Sequence, residues 1–381
     1  MQKLILIISA FLILGVLHAQ YDSIPFGGYE RTYLIHLPTG YTGTNDVPLI
    51  IAMHGGFGNA YNMQEQSQLS VKADTENFIV VYPEGLEGEL LGISSWNAGW
   101  CCGWASNNNI DDVGFIDALI NKLVNDFAID TNRMYATGLS NGGFMAYRLA
   151  CELSDRIAAI APVAASMSMT TCTPQRPVPI ISFHSYLDTH VPYDGGIGSG
   201  PSNHYNPPQD SILNAWSAIN TCNTTNDTII NTSLFLHRKW SNCECETEIE
   251  QYVTQDGGHS WPGGNQTLFG DPVSNFINAN DLMWTFFQQY SLDCDPLSVN
   301  DPHIDNSKLD IYPNPTSGLI KICSEINFEE INVSVYDITG EKVYESVGQK
   351  ELNLSSLLTG TYLIFIKIGN IIETRRIIKI E

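Results

Sequence analysis

Residues 138–142 read Gly138-Leu139-Ser140-Asn141-Gly142, a G-x-S-x-G pentapeptide. So short a pattern also arises by chance, and its context has to support it. Here it follows the β-rich run Arg133 to Ala136 and opens a helix-forming stretch from Gly142 through Leu149. A nucleophile elbow needs that strand–turn–helix, because the serine sits in a strained turn crowded by neighbouring chains. Glycines at 138, 142 and 143 remove the Cβ atoms that would clash. Ser140 is the candidate nucleophile.

A serine hydroxyl is a poor nucleophile until a base, itself held by an acid, takes its proton. In a sheet-and-helix hydrolase the acid follows the serine and the histidine comes last. Asp188 follows the apolar run Val178 to Phe183 in a loop, where a carboxylate can reach the sheet edge. Asp194, before two glycines, reads as a turn residue, and Asp210 as the N-cap of a helix through Trp216. The histidines after Ser140 are His184, His190, His204, His237 and His259. His259 lies in the glycine-rich loop Gly257 to Gly264, after the strand-like run Glu248 to Thr254, and is the expected base. His184, at a strand end, reads as a buried support. The tetrahedral oxyanion needs two backbone N–H donors. Asn141 should supply one. His54-Gly55-Gly56-Phe57-Gly58, after the run Val47 to Met53, should supply the other. Gly56 is the expected donor, with Gly55 and Phe57 as alternatives, and His54 is expected to shape the loop through a hydrogen bond.

Other residues admit plainer readings. Asp111-Asp112 suits a helix N-terminus through capping and the helix dipole. Trp96, Trp100, Trp104 and Trp261 lie in loop-like segments, where they could stack on a substrate ring or fill loop cores. Trp100 and Trp261 are taken as the substrate-binding candidates. Eight cysteines precede residue 300, an even set that suits disulfides. The Cys243-x-Cys245 pair has no matching Cys/His pair at zinc spacing, so no metal is expected, and no organic cofactor. Adjacent Cys101 and Cys102 are expected to pair with different partners.

The elements that must position these groups alternate along the first three quarters of the chain. Apolar strands are expected at Arg31 to Leu37, Val47 to Met53, Phe78 to Tyr82, Arg133 to Ala136, Ile157 to Val163 and Val178 to Phe183. From Asp112, Val113, Ile116, Ile120, Leu123, Val124 and Phe127 recur at helical spacing. This is an α/β pattern: a mostly parallel sheet with helices on both faces. The end of the chain differs. Short alternating runs at Leu309 to Tyr312, Leu319 to Cys323, Ile331 to Tyr336, Tyr362 to Ile368 and Arg375 to Ile380 predict a small all-β sandwich.

Charge marks the same seam. Residues 20–307 hold 9 basic and 31 acidic side chains, against 8 and 10 in residues 308–381. Residues 295–308 are rich in Asp, Pro, Asn and Ser, as a linker should be. The net charge of −23 argues against nucleic acid and anionic membrane surfaces as partners. Residues 1–19 read as a secretory signal: Lys3, an apolar run Leu4 to Leu17 and a small residue at Ala19. The run falls short of the roughly 20 apolar residues a span needs, so no stable membrane span is expected. The expected domains are thus a hydrolase at 20–294 and a sandwich at 309–381.

Several separate motifs, in order, carry a family resemblance. Trp96 to Gly103 (WNAGWCCG), Asp111 to Phe115 (DDVGF), Gly138 to Gly143 and Gly258 to Gly263 (GHSWPG) resemble the secreted esterases grouped as polyhydroxybutyrate depolymerase and feruloyl/acetylxylan esterase, of the LpqC-like, carbohydrate esterase family 1 type. The likeness runs from about Tyr29 to Tyr290. It implies an alpha/beta-hydrolase fold and a serine carboxylesterase mechanism, with Ser140, Asp188 and His259 on the triad positions. It also implies a Cys151–Cys172 disulfide. In one departure, His184 is followed by Ser185 where the family usually has glycine.

The tail from Leu309 resembles the C-terminal sorting domain of the type IX secretion system. The residues that carry this likeness are Ile311 to Gly318, Val335-Tyr336-Asp337 before Gly340, Leu357 to Tyr362 and Lys379. This implies passage through that machinery to the exterior or the cell surface. The sequence therefore predicts a secreted serine esterase acting on feruloyl or acetyl esters of plant polysaccharide or on poly(3-hydroxybutyrate) esters. A serine peptidase of the same fold and an inactive surface-binding module are the alternatives.

Overall fold

The computed structural model describes residues 20–88, 92–200, 203–267, 270–293, 309–314, 316–324, 331–337, 342–368 and 371–380. The expected signal segment 1–19 and linker 295–308 lie outside the described residues. The chain divides into two compact units, Met1–Leu297 and Ser298–Glu381.

The first unit is built on ten strands. Their order across the sheet is Gln20–Phe26, Tyr29–His36, Ile79–Pro83, Val47–Met53, Ile129–Leu139, Ala159–Val163, Ile180–Ser185, Ile249–Thr254, Phe235–Trp240 and Asp227–Asn231. The six in the middle, from Ile79–Pro83 to Ile249–Thr254, are mutually parallel, and two antiparallel strands flank them on each side. Side chains alternate between faces along a strand, and both faces here are covered. On Val47–Met53, Leu49, Ile51 and Met53 enter one apolar core while Ile50 and Ala52 enter the other. Helices Asp112–Asp126, Asn141–Glu152 and Gln209–Ile219 close the first face. Ala60–Ser67, Leu69–Glu76 and Ala279–Phe287 close the second. This is the alpha/beta-hydrolase arrangement that the sequence predicted.

Two local readings need correction. Asp210 does not cap its helix: Pro208 holds the N-cap position, and Asp210 sits in the first turn, where it accepts from the Tyr193 hydroxyl at 2.9 Å and pairs with Arg238. A cation 28 residues away in sequence outcompetes the backbone for that carboxylate. Asp111 does cap, accepting from Gly114 N–H at 2.9 Å. Asp112, however, is wholly buried and pairs with Arg31 at 2.7 Å.

The cysteines form disulfides at Cys151–Cys172 and Cys222–Cys243, and Cys245 is disulfide-bonded as well. Cys101 and Cys102, expected to find separate partners, are bonded to each other. The other described cysteines of this unit are already engaged, so the adjacent pair close on themselves.

The second unit comprises two antiparallel sheets. Leu309–Tyr312, Leu319–Ser324 and Glu351–Asn353 form one, and Lys342–Val347, Asn332–Tyr336, Gly360–Ile368 and Ile371–Lys379 the other. Ile320, Ile322, Val333, Val335, Leu352, Ile364 and Ile366 meet in a shared core. Lys342–Val347 escapes sequence reading because none of its six residues is buried, leaving no apolar alternation to detect.

Candidate active site

Ser140 stands where strand Ile129–Leu139 turns into helix Asn141–Glu152. Its backbone lies at φ 54°, ψ −123°, a region an L residue enters only under constraint. Its N–H donates to the Val163 carbonyl at 2.9 Å on the adjacent strand. The helix leaves the turn close to its neighbours. A Cβ on Gly142 would strike the Met53 and His54 carbonyls, and one on Gly143 would press on Ala165. These glycines are needed where the sequence places them.

Asp188 and His259 come from loops after Ile180–Ser185 and Ile249–Thr254, the second and third strands along from Ile129–Leu139. His259 Nδ1 lies 2.8 Å from Asp188 Oδ2. The other oxygen, Oδ1, accepts the N–H groups of His190 and Val191, each at 2.9 Å. Burial pushes the Asp188 carboxyl up, but His259, through charge and hydrogen bond, with His184 nearby, leaves it below the usual carboxylate range. It is therefore an ionised acceptor, able to hold His259 with a proton on Nδ1 and Nε2 free to act as base. Asp194 lies in a turn, as expected. His237 pairs with Glu250 on the antiparallel edge.

Two supports of the acid loop are visible. His184 is buried, and its Nε2 lies 2.8 Å from the Val191 carbonyl, the residue whose N–H binds Asp188. Burial lowers its pKa, opposed by Asp188, which suits a neutral ring donating from Nε2. Ser185, the departure from the family pattern, ties two loops together. Its hydroxyl accepts from Leu187 N–H at 3.0 Å and lies 3.3 Å from the carbonyls of Asp256 and Gly257, at the root of the His259 loop.

Ser140 and His259 open onto one cavity of about 730 Å³, lined also by Asn141, Gly56 and Phe57. The Phe57 N–H is already used, donating to the Ser94 carbonyl at 3.1 Å. Gly55 does not line the cavity, whereas Gly56 does. His54 fixes this loop. Its ring lies 2.7 Å from the Gly55 carbonyl through Nδ1 and accepts Gly85 N–H through Nε2 at 3.0 Å, which defines one tautomer. Burial pushes this imidazole down to about 4, so it is neutral at ordinary pH. The Asn141 side chain pairs twice with the Trp96 backbone, at 2.7 and 3.0 Å, and the Trp96 indole donates to the His54 carbonyl at 3.0 Å. One hydrogen-bonded chain thus links both expected oxyanion donors.

The two tryptophans proposed for substrate do not reach the cavity. Trp261 is fully buried in the core beneath helix Ala279–Phe287, its indole donating to Asn280 at 2.9 Å. An indole with both its faces and its N–H engaged inside the protein cannot stack on a ligand. Trp100 is 46% exposed but is not among the cavity-lining residues. Trp104 is the tryptophan that lines it, and Trp96 is buried beside His54. Trp96, Trp100 and Trp261 sit in loops and Trp104 on the short helix Gly103–Asn107, and nothing in their local sequence separates inward from outward.

The fold is that of the alpha/beta hydrolases, and Ser140, Asp188 and His259 each follow the end of one of its parallel strands. Residues 31–169 match the esterase PHB depolymerase family, and residues 310–381 match the secretion system C-terminal sorting domain. The chain is thus similar to that esterase family over residues 31–169 and to the sorting domain over residues 310–381. Among curated relatives, feruloyl esterase B of Piromyces equi is 28% identical over 277 residues, covering 69% of this chain and 46% of that protein. Feruloyl esterase C of Emericella nidulans is 26% identical over 264 residues, covering 68% and 83%. The chain thus spans less than half the length of the first. Among solved structures, an acetyl xylan esterase from Aspergillus awamori aligns with TM-score 0.47 at 13% identity, covering 64% of this chain and 94% of that one.

Proposed function

We propose that the chain is an exported serine carboxylesterase in which Ser140 attacks an ester carbonyl, His259 takes its proton and Asp188 orients the imidazole. The negative oxygen rests on the N–H groups of Asn141 and Gly56. Collapse expels the alcohol, which leaves with the proton carried by His259. Water, activated by the same base, then releases the acid. The observation that carries this reading is the Asp188–His259 hydrogen bond at 2.8 Å, facing a cavity shared with a serine in a strained elbow.

Feruloyl or acetyl esters of plant polysaccharide are the leading substrates, in keeping with the relatives' names. Poly(3-hydroxybutyrate) esters are the second reading, in keeping with the family's. Export is assigned to residues 1–19 and then to the sorting domain acting through type IX machinery, with residues 295–308 as the linker. Among the described residues no helix is long and apolar enough to cross a membrane. The test is turnover of p-nitrophenyl acetate and methyl ferulate by the purified chain and by Ser140→Ala. The variant should lose at least about 10³-fold in kcat while keeping its circular dichroism. Unchanged turnover would remove Ser140 from the mechanism.

A further inference from the structure

Two imidazoles at the cavity, His190 and His204, have no part in the mechanism above, and His190 is the one set against the base. His190 lies against the ring of His259, centroids 4.9 Å apart and planes 30° from parallel. Its backbone N–H binds Asp188, yet its side chain lines the cavity and is 40% exposed. Its Nδ1 is shielded and has no hydrogen-bond partner among the described residues; the nearest carboxylate oxygen is Asp271 Oδ2, at 3.8 Å. Asp271 also lines the cavity, and the same Oδ2 accepts the backbone N–H of His259 at 2.7 Å. A Cβ on Gly258 would collide with that carboxylate, so chain and acid are closely fitted here.

We infer that His190 and Asp271 form the subsite for the leaving alcohol and that they select a polyhydroxylated, sugar-like alcohol. This rests on the esterase reading above and assigns residues that would favour its leading substrates over the polyester alternative. The reasoning begins from the proton. The nitrogen that takes the Ser140 proton must hand it to the departing oxygen, so that oxygen lies against His259 when the bond breaks. Groups fixed to His259 therefore meet the alcohol half of the ester. The two groups so fixed are polar. A carboxylate accepts hydrogen bonds, and an imidazole can both give and accept. A sugar presents hydroxyl donors and acceptors to match. A hydroxybutyrate chain offers acceptors only, or a terminal carboxylate that Asp271 repels. Phe57, Ile93, Trp104, Leu139 and Phe144 supply a carbon surface elsewhere in the wall, which Gln66 and His204 also line, and that surface suits the acyl half.

The experiment compares kcat/KM for methyl ferulate with that for the feruloyl ester of arabinose, two substrates with one acyl group. It uses the full chain, His190→Phe and His190→Gln. Phenylalanine keeps an aromatic ring against His259 and removes the hydrogen bonds; glutamine keeps a donor and an acceptor. The unaltered chain should prefer the arabinose ester by about tenfold or more, as one or two hydrogen bonds made in the transition state would give. His190→Phe should bring the ratio close to one, whatever happens to the methyl ester rate, and His190→Gln should retain part of the preference. Equal kcat/KM for the two esters in the unaltered chain would overturn the inference without any variant. So would a preference that survives in His190→Phe or is lost equally in both variants. Absence of Ser140-dependent hydrolysis of either ester is a different failure and would count against the esterase reading itself.

Discussion

Arg31 and Asp112 offer a perturbation whose sign and size can be worked out in advance. Their side chains are 1% and 0% exposed and meet at 2.7 Å. Burial moves both toward neutrality: the guanidinium lies below its usual range and the carboxyl above its own, each opposed but not rescued by the partner. Desolvation therefore outweighs attraction on both sides of the pair. Arg31 also lies over the Phe115 ring at 3.8 Å, and Asp112 accepts Asn97 N–H at 2.7 Å. Arg31→Leu would strand a buried carboxylate, and Asp112→Asn would strand a buried cation. Each should cost roughly 3–5 kcal/mol. The double variant has neither charge and keeps an acceptor for Asn97, so it should cost only about 1–2 kcal/mol. The coupling between the sites should thus exceed about 2 kcal/mol. Urea denaturation of the four proteins measures it. Turnover adds a second readout, because Asn97 adjoins Trp96, whose backbone holds Asn141. Additive losses, with the double variant as damaged as the two singles together, would refute the argument.

The other predictions are briefer. Unfolded His54 takes up a proton near its ordinary 6.5, whereas the folded ring resists to about 4, so the unfolded state binds more protons in that interval and stability should fall as pH is lowered through it. His54→Gln should flatten that slope in denaturation curves at pH 7 and 4.5 and also reduce kcat; an unchanged slope would place the ring elsewhere. Gly142→Ala should lose most activity and melt earlier, since its Cβ meets two backbone carbonyls that no rotamer can move. Replacing Cys151 and Cys172 together by alanine should cost roughly 3 kcal/mol, the closure entropy of so short a loop, read as a lower urea midpoint.

Much of this architecture was readable because local and global signals agree. The central strands are continuous apolar runs because both faces are buried, and their boundaries fall within a few residues of the expected ones. Ser140 was legible because an elbow imposes its glycines locally. Asp188 and His259 were legible because chain order narrows the choice of acid and base. What escaped depends on distance in sequence. Asp112 resembles a second capping residue until Arg31, 81 positions earlier, is placed beside it. Trp261 sits among glycines and prolines that suggest a surface loop, but the chain there turns inward onto Asn280. The flanking strands Gln20–Phe26 and Asp227–Asn231 are largely exposed, so they lack the apolar run that marks the central ones.

The strand order has a consequence for how activity appears. Ser140 follows Ile129–Leu139, Asp188 follows Ile180–Ser185 and His259 follows Ile249–Thr254, the last parallel strand to be added on that side of the sheet. No two of the three groups are contributed by one hairpin or one helix. A partly assembled sheet, however well collapsed, lacks either the acid or the base at its edge. Ester turnover during refolding should therefore lag behind the recovery of secondary structure and report the docking of Ile249–Thr254. In an exported chain, that makes catalytic onset a clock for the completion of folding.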